Sequence, residues 1–328
     1  MDPHTALMWH GGQTAAAAQL YPAAPRPWLD LSTGISPWAW PVPVLGPKVW
    51  QTLPSPAALE QLELAAARAF GLNDAAQIAA VPGSDIAIRL LAQVLRAEDV
   101  AIIGQGYAGY RAAWPDARVL SFENARNAGL MICANPNNPD GVVTEAREIR
   151  QLHNIRIVDE AFADAMPEVS ILPDRNGAIV LRSFGKFFGL AGVRLGFVIA
   201  NKPVIRDLRR LLGDWPVSGP AIAIGTAAYC DSAWHGLQRH RLAQGSARLV
   251  ALLQDHGLQD AGGTANFRLC RIPGHAPDSS DLFVHLCHSG ILVRPFKDRP
   301  DQLRLGIPGT DADWARLDTA LKAWSSSV

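Results

Sequence analysis

Short apolar runs alternate with helical patterns between about residues 77 and 200 of the chain. The runs that have the length of buried strands are "QIAAV" (77–81), "DVAIIG" (99–104), "ARVLSF" (117–122), "GLMICA" (129–134), "IRIVDE" (155–160), "AIVLRS" (178–183) and "RLGFVIA" (194–200). This alternation predicts an α/β fold, with a mostly parallel central sheet and helices on both faces. We expect ligands to bind at the carboxyl ends of the strands.

The pattern changes after about residue 225, where long helical stretches precede the segments "NFRLCRI", "DLFVHLCHSG", "ILVRPF" and "LRLGIP". The last predicted helix has one apolar face, formed by Trp314, Leu317, Leu321 and Trp324. We therefore expect a large α/β domain over residues 41–225 and a smaller α+β domain over residues 226–328. Residues 1–40 show little periodicity and predict an irregular N-terminal arm.

Composition excludes several classes of partner. The 328 residues are 48% hydrophobic and 18% charged, with a formal net charge of zero. Because a neutral chain attracts neither nucleic acid nor anionic membrane, we expect a small-molecule partner. The four cysteines lack a CxxC spacing, which predicts reduced, buried thiols and no metal site. No signal-peptide pattern or long apolar span is present, so we expect a cytoplasmic protein.

Lys186 lies inside an apolar, glycine-rich segment, "RSFGKFFGLAGVRLGF" (182–197). Burial disfavours the charged form of an amine, and the neutral amine is the nucleophile that forms a Schiff base. Alternatively, the stem of Lys186 packs against apolar neighbours while its ammonium group reaches water. This segment alone leaves both interpretations open.

The segment "PGSD" (82–85) follows the first predicted strand and precedes a helix. Gly83 permits a tight turn, and Ser84 or Asp85 can cap the helix. The amides at such a helix start, together with the helix dipole, suit a phosphate group. An ordinary N-cap is the alternative.

Polar residues also follow the next strands. Asn138 lies in "ANPNNPDG" (134–141), which either holds a ligand oxygen or is plain turn chemistry. Asp159 closes "IRIV", where a buried acid would need a cation or a donor, such as a protonated ring nitrogen. The alternative is a strand-end acid that faces solvent. Tyr107 and Arg194 complete a set that follows the strands in order.

This ordered set resembles the fold-type I pyridoxal 5'-phosphate enzymes of the class I/II aminotransferase family, over about residues 9 to 325. The resemblance implies pyridoxal 5'-phosphate as cofactor and gives Lys186, Asp159 and Tyr107 catalytic roles. Lys186 would form the imine with the cofactor, and Asp159 would pair with the pyridine nitrogen. Asn138 would bond the ring hydroxyl, and Tyr107 would stack on the ring. The residues implied at the cofactor phosphate are Gly83, Ser84, Asp85, Ser183 and Arg194.

Within this family the chain is similar to the threonine-phosphate decarboxylases of cobalamin biosynthesis. They share "HGG" (10–12) and "DLSTGISPW" (30–38), in which Ser36 stands where they have asparagine. The resemblance implies a homodimer that converts L-threonine O-3-phosphate to (R)-1-aminopropan-2-yl phosphate. The residues implied at this phosphorylated amino acid are His10, Gly11, Gly34, Asn138, Arg294 and Arg304. Arg304 would clamp the substrate carboxylate.

Three positions depart from the related aminotransferases. Phe162 and Leu53 stand where tyrosines are usual, and Gly185 stands where serine or threonine is common. An aminotransferase acting on histidinol phosphate would use the same residues, so it remains an alternative to the decarboxylase. A catalytically silent binding module is the third hypothesis, because the departures remove donors from the expected phosphate and ring contacts.

Overall fold

The computed structural model describes residues 7, 10–104, 106–273 and 279–325. The strands are β1 (Leu29–Asp30), β2 (Ile78–Val81), β3 (Val100–Ile103), β4 (Arg118–Leu120), β5 (Leu130–Ala134), β6 (Ile155–Asp159), β7 (Ile179–Ser183), β8 (Gly196–Ile199), β9 (Gln259–Thr264), β10 (Phe267–Arg271), β11 (Ile291–Leu292), β12 (Arg294–Pro295) and β13 (Gln302–Gly306). The helices are α1 (Thr14–Leu20), α2 (Lys48–Gln51), α3 (Pro56–Ala69), α4 (Ser84–Leu95), α5 (Ala108–Ala113), α6 (Phe122–Ala125), α7 (Ala146–Arg150), α8 (Phe184–Phe187), α9 (Lys202–Leu212), α10 (Gly219–Cys230), α11 (Ser232–Asp255), α12 (Ser279–His288) and α13 (Asp311–Ser325). Within the described ranges no helix is both long enough and apolar enough to cross a bilayer.

The chain forms two compact units. The larger unit consists of residues 39–138 and 142–238, and the smaller unit of the described parts of 1–38, 139–141 and 239–328. The predicted N-terminal arm thus belongs to the smaller unit, and it contains α1 and β1. The boundary between the two units near residue 238 falls inside α11, where the helical pattern continues without a break. The change of sequence pattern near residue 225 therefore does not coincide with this boundary.

The larger unit is built on a seven-stranded sheet of order β2-β8-β7-β6-β5-β3-β4. β8 runs antiparallel to both of its neighbours, and the other pairings are parallel. Neighbouring residues of β8 face opposite layers. Val198 shares an apolar cluster with Leu91 of α4, whereas the ring of Phe197 contacts Phe70 and Tyr229. Helices therefore cover both faces of the sheet, and the predicted α/β fold and its seven strands are confirmed.

The smaller unit contains an antiparallel sheet of order β12-β13-β10-β9 and a parallel pair formed by β1 and β11. Its core includes Phe283 of α12 and Leu249 of α11. The predicted apolar face of the last helix is confirmed, since Trp314, Leu317 and Leu321 of α13 are buried in this core. The smaller unit is thus of the α+β type.

The cysteines correct one prediction. Cys133, Cys270 and Cys287 are buried free thiols, as expected. Cys230 is also a free thiol but is exposed, because it lies at the last position of α10.

Candidate functional site

The carboxyl ends of the parallel strands meet at one edge of the larger unit. In the parallel ladder Ala134 pairs with Asp159, and β7 continues beside them to Ser183. This edge borders a cavity of about 200 Å³ that lies entirely in the larger unit. The cavity brings together the residues that the sequence predicts at the cofactor, namely Gly83, Ser84, Asp85, Tyr107, Asn138, Asp159, Ser183, Lys186 and Arg194.

Asp159 is a buried carboxylate with two hydrogen-bond donors. Oη of Tyr110 donates to Oδ2 at 2.7 Å, and the amide of Ala161 donates to Oδ1 at 3.0 Å. Burial raises the pKa of Asp159, although both hydrogen bonds and the charge of Lys186 oppose this rise. A cationic group in the cavity would favour the ionised form.

Lys186 lies in α8, the single helical turn that follows β7. Its Nζ is 5.5 Å from the centroid of the Phe162 ring, which is itself buried. Lys186 and Asp159 line the same cavity, so an amine and a carboxylate can act on one ligand. Phe162 lines the cavity with an apolar ring at the position where tyrosine is expected from the resemblance to aminotransferases.

The turn before α4 corrects the predicted cap. The N-cap residue is Gly83, with φ of 95° and no side-chain cap, whereas Ser84 and Asp85 belong to the first helical turn. A Cβ atom at Gly83 would lie 2.6 Å from Nη2 of Arg194, so glycine lets the guanidinium approach the turn. The first amides of a helix have no acceptor within it. Together with Arg194 they form a site suited to a phosphate group.

The side chain of Asp85 is already engaged. Its Oδ1 accepts a hydrogen bond from Oη of Tyr107 at 3.0 Å, and its Oδ2 pairs with Nε of Arg89 at 3.3 Å. Burial and the charge of Asp85 raise the pKa of Tyr107 to about 12. Because the carboxylate of Asp85 would repel a phosphate, Asp85 can contribute to anion binding only through its backbone amide.

The two asparagines of "ANPNNPDG" that precede a proline, Asn135 and Asn138, have different surroundings. Asn135 is buried and holds the loop, since its Oδ1 accepts from the amide of Thr144 at 3.0 Å and its Nδ2 donates to the carbonyl of Val169 at 3.0 Å. Asn138 lines the cavity. The loop is therefore rigid by its own hydrogen bonds and presents one amide side chain to a ligand.

Packing requires glycine at position 185, where the related aminotransferases commonly have serine or threonine. A Cβ atom at this position would lie 2.7 Å from Cα of Ala191. A serine would thus displace the backbone that leads to Lys186. Leu53, another departure, has its side chain 68% exposed on the surface of the larger unit.

Tyr110 is the residue with a polar side chain that lines the cavity but was not predicted there from the sequence. It is the second tyrosine of "GYAGY", and it lies on α5, three residues after Tyr107, which is the N-cap residue of this helix. Residues at this spacing lie on the same face of a helix, which is the signal that could have identified Tyr110. The ring centroids of the two tyrosines are 5.8 Å apart in an edge-to-face arrangement.

In the smaller unit, the predicted substrate residues Gly11 and Arg304 both lie next to Ser32. A Cβ atom at Gly11 would lie 2.5 Å from the carbonyl oxygen of Ser32, and the amide of Gly12 donates to Oγ of Ser32 at 2.8 Å. The buried Arg304 of β13 donates from Nη2 to the same carbonyl oxygen. The "HGG" and "DLSTG" segments and Arg304 thus meet in one place, with the half-buried His10 directly before Gly11.

Arg294 of β12 is the partner of Arg304 in the antiparallel ladder. Burial lowers the pKa of Arg294 to about 10. Burial and the charge of Arg294 lower the pKa of Arg304 to about 9. Two guanidinium groups that are partly removed from water, on paired positions of neighbouring strands, favour the binding of an anionic ligand.

Gly34 lines a different depression of the smaller unit, of about 240 Å³, together with Ser36 and Gly309. Oγ of Ser36 accepts from the amide of Trp38 at 3.2 Å and donates to its carbonyl oxygen at 3.2 Å. Ser36 therefore makes a local turn at the position where the related decarboxylases have asparagine.

The donors of the larger unit's cavity fit pyridoxal 5'-phosphate, the cofactor expected from the sequence. Lys186 would supply an amine for its aldehyde, and Asp159 would supply a buried carboxylate for its ring nitrogen. Arg194 and the first amides of α4 would supply donors for its phosphate.

The profile of one protein family, described as "Aminotransferase class I and II", matches residues 48–321 of the chain. The chain belongs to the aminotransferase class I and II family. A threonine-phosphate decarboxylase from Pseudomonas aeruginosa is 38% identical to it over 96% of this chain and 97% of the relative. One from Sinorhizobium sp is 36% identical over 95% and 97%, respectively.

Solved structures of this family have the same fold. Histidinol-phosphate aminotransferase from Sinorhizobium meliloti, in complex with pyridoxal-5'-phosphate, superposes with a TM-score of 0.80 at 20% identity, covering 96% of this chain and 95% of the other. L-Threonine-O-3-phosphate decarboxylase from Porphyromonas gingivalis superposes with a TM-score of 0.75 at 20% identity, covering 91% and 99%. The fold-type I class that the sequence resemblance implies is confirmed.

Proposed function

We propose that this chain is a pyridoxal 5'-phosphate-dependent lyase that decarboxylates L-threonine O-3-phosphate. The products are (R)-1-aminopropan-2-yl phosphate and carbon dioxide, and the aminopropanol phosphate would serve cobalamin biosynthesis. The similarity to two threonine-phosphate decarboxylases over nearly the whole chain carries this proposal. The residues of the site do not separate a lyase from an aminotransferase, because both reactions use a lysine, an aspartate and arginines of the same kinds. The similarity is therefore the argument that favours the lyase.

When bound, pyridoxal 5'-phosphate supplies a ring that accepts electrons from the amino-acid Cα. Asp159 would keep the ring nitrogen protonated, because its carboxylate is buried and favours a cationic partner. Lys186 would hold the cofactor through its amine and would return a proton to Cα after carbon dioxide has left. Asn138 would contact the ring hydroxyl and Tyr107 the face of the ring, while Ser183 and Arg194 would hold the phosphate.

The substrate roles fall to the arginines of the smaller unit. Arg304 would bind the substrate carboxylate and fix its orientation, which decides whether this group or the Cα proton is lost. Arg294 would add a second positive charge for a substrate that carries both a carboxylate and a phosphate. His10, Gly11 and Gly34 would complete the contacts to the substrate.

The experiment is to incubate the purified protein with pyridoxal 5'-phosphate and L-threonine O-3-phosphate, with no 2-oxo acid, and to measure carbon dioxide. Catalytic release over many turnovers is expected for the lyase. Stoichiometric formation of the aminated cofactor without carbon dioxide would indicate an aminotransferase instead. The second assay uses histidinol phosphate with 2-oxoglutarate. It is chosen because some relatives are named histidinol-phosphate aminotransferase, such as one from Rhizobium meliloti that is 35% identical over 62% of this chain. Absence of any reaction would favour the silent binding module.

We also propose that the chain forms a homodimer in which a second copy covers an apolar patch of the larger unit. The patch comprises Trp50, Leu53 and Trp215, whose exposed fractions are 66%, 68% and 56%. Two grooves of about 640 and 680 Å³ adjoin it, and both are lined by Leu53, Pro54 and Gly219. Exposed apolar surface of this kind is typical of interfaces.

Light scattering after gel filtration would measure the mass of the wild type and of Leu53→Asp. We expect a dimer for the wild type and a shift toward monomer for the variant. Leu237→Asp is the matched control, because Leu237 is 59% exposed and lies on α11, away from the residues that line the two grooves. A monomeric wild type that is fully active would overturn the proposal. We further propose a cytoplasmic location, which is supported by the four free thiols and can be checked by cell fractionation.

A further inference from the structure

Tyr110 is buried at the wall of the cofactor cavity and has one hydroxyl group. Its side chain is among the largest that are fully buried, with 1% of its surface exposed. Its Oη donates to Oδ2 of Asp159 at 2.7 Å, a short distance typical of a hydroxyl bound to a carboxylate. Because the single proton of the hydroxyl is used in this bond, Tyr110 acts on a ligand through Asp159.

The hydrogen bond changes the chemistry of Asp159. It is the largest of the contributions that lower the pKa of this carboxyl against the effect of burial. Burial and the charge of Asp159 raise the pKa of Tyr110 well above its ordinary value, so the hydroxyl remains a donor at every physiological pH. Tyr110 therefore favours the ionised carboxylate that a protonated ring nitrogen needs.

The position of Tyr110 also fixes the direction of the carboxylate. With Oδ2 bound by Tyr110 and Oδ1 bound by the amide of Ala161, both oxygens of Asp159 have a fixed donor. Tyr110 itself is held by its ring contact with Tyr107, whose hydroxyl is bound to Asp85. The face of α5 thus links the start of α4 to the end of β6.

We propose that Tyr110 is a positioning residue for the cofactor, which keeps Asp159 ionised and directed at the ring nitrogen. This inference rests on the proposed function, since it requires that the cavity bind pyridoxal 5'-phosphate. It assigns a role in recognition of the pyridine nitrogen to a residue that acts through its hydrogen bond to Asp159.

The test compares two cofactors in the wild type and in Tyr110→Phe. One is pyridoxal 5'-phosphate, and the other is its 1-deaza analogue, in which a C–H group replaces the ring nitrogen. Binding is measured by equilibrium dialysis and by the absorption of the bound cofactor, without any assay of activity. We expect the variant to bind pyridoxal 5'-phosphate about tenfold more weakly, as for loss of a hydrogen bond to a charged group, and to bind the analogue within about twofold of the wild type.

Tyr229→Phe is the matched control, because Tyr229 is also buried in the larger unit but its hydroxyl has no hydrogen-bond partner among the described residues. We expect this variant to bind both cofactors like the wild type. In an Asp159→Asn background, Tyr110→Phe should cause no further loss of pyridoxal 5'-phosphate binding. This double variant remains informative if Tyr110→Phe alone folds poorly.

Equal loss of both cofactors in Tyr110→Phe would show a general packing role and overturn the proposal. Unchanged binding of both would overturn it as well. A wild type that binds neither cofactor would instead overturn the proposed function together with this inference, so the two failures are distinguishable.

Discussion

Arg294 and Arg304 are direct partners in the antiparallel pairing of β12 and β13. Like charges at such a position destabilise a sheet unless an anion lies between or near them. The guanidinium group of Arg304 is also 4.7 Å from the ring of Phe267, so it is sheltered from water on one side. The charge of Asp30 opposes part of this repulsion at Arg304, and a bound anion would offset more of it.

We expect Arg304→Met to weaken substrate binding while leaving the stability of the fold nearly unchanged. The variant loses a hydrogen bond to Ser32 but also removes a buried charge next to Arg294, so its free energy of unfolding should stay within about 1 kcal/mol of the wild type. Affinity for L-threonine O-3-phosphate should fall on the order of a hundredfold, or about 3 kcal/mol, while affinity for pyridoxal 5'-phosphate stays unchanged. Urea unfolding and isothermal calorimetry measure these quantities.

Arg268→Met is the control for Arg304→Met. Arg268 lies on the neighbouring strand β10, and its Nε is paired with Oδ1 of Asp260 at 3.0 Å. This substitution should lower stability slightly and leave substrate affinity unaltered. Equal loss of cofactor and substrate affinity in Arg304→Met would contradict the carboxylate clamp.

Lys186→Ala should abolish the visible absorption of a lysine-bound cofactor and lower the rate at least about a thousandfold, because no other amine lies among the residues that line the cavity. Absorption spectra after addition of pyridoxal 5'-phosphate provide the measurement. Lys202→Ala serves as control, since Lys202 is exposed and paired with Asp74 at 3.0 Å. Persistence of the same absorption band in Lys186→Ala would show that another group binds the cofactor.

Local sequence patterns predict the sheet well because the central strands are buried on both faces. Every residue of β8 and four of the five residues of β5 are buried, so each strand appears in the sequence as an unbroken apolar run. The polar residue Asn135 directly after β5 marks the edge of the sheet. The position of Asp159 at the end of β6 follows from this pattern alone. Its role did not follow without the resemblance to a known family.

The features that were missed depend on contacts between distant parts of the chain. Tyr110 and Asp159 are 49 residues apart, and no local pattern shows that they are hydrogen-bonded. The opposition of Arg294 and Arg304 depends on strand register, which a short run of alternating residues does not fix. At the N-cap Gly83, a Cβ atom would meet Arg194, which is far along the chain, and no local pattern shows this contact.

A buried ion cluster behind the strand ends supports a prediction about stability. Nη1 of Arg182 is 2.7 Å from Oδ1 of Asp164, and its Nε is 3.1 Å from Oε2 of Glu160. Arg182 precedes Ser183, and Glu160 follows Asp159, so the cluster ties β6 to β7 close to the cavity. Arg182→Met would leave two buried carboxylates without their cation, which should cost about 3–5 kcal/mol at neutral pH.

This cost should depend on pH in a defined direction. Burial already raises the pKa of Glu160, and removal of Arg182 would raise it further. The folded variant would then bind more protons than the unfolded chain as the pH falls. Its loss of unfolding free energy relative to the wild type should therefore be largest at neutral pH and shrink on acidification toward about pH 4. Urea unfolding over this range tests the slope. Arg118→Met, which breaks the exposed pair with Asp99, should leave the free energy of unfolding close to that of the wild type at every pH. An equal loss of stability in both variants would contradict the interpretation.

Gly185→Ser restores the residue type that is common in related aminotransferases, and we expect it to weaken cofactor binding. The added Cβ would lie 2.7 Å from Cα of Ala191, so α8, which carries Lys186, would have to shift. Overpacking of this kind typically costs about 1–3 kcal/mol, and a displaced Lys186 should lower the affinity for pyridoxal 5'-phosphate as well. Thermal unfolding and cofactor titration measure both effects, with Gly236→Ser on α11 as control because a Cβ atom there meets nothing within 4 Å. Tighter binding in Gly185→Ser would mean that the backbone adapts easily and that the hydroxyl reaches the cofactor phosphate.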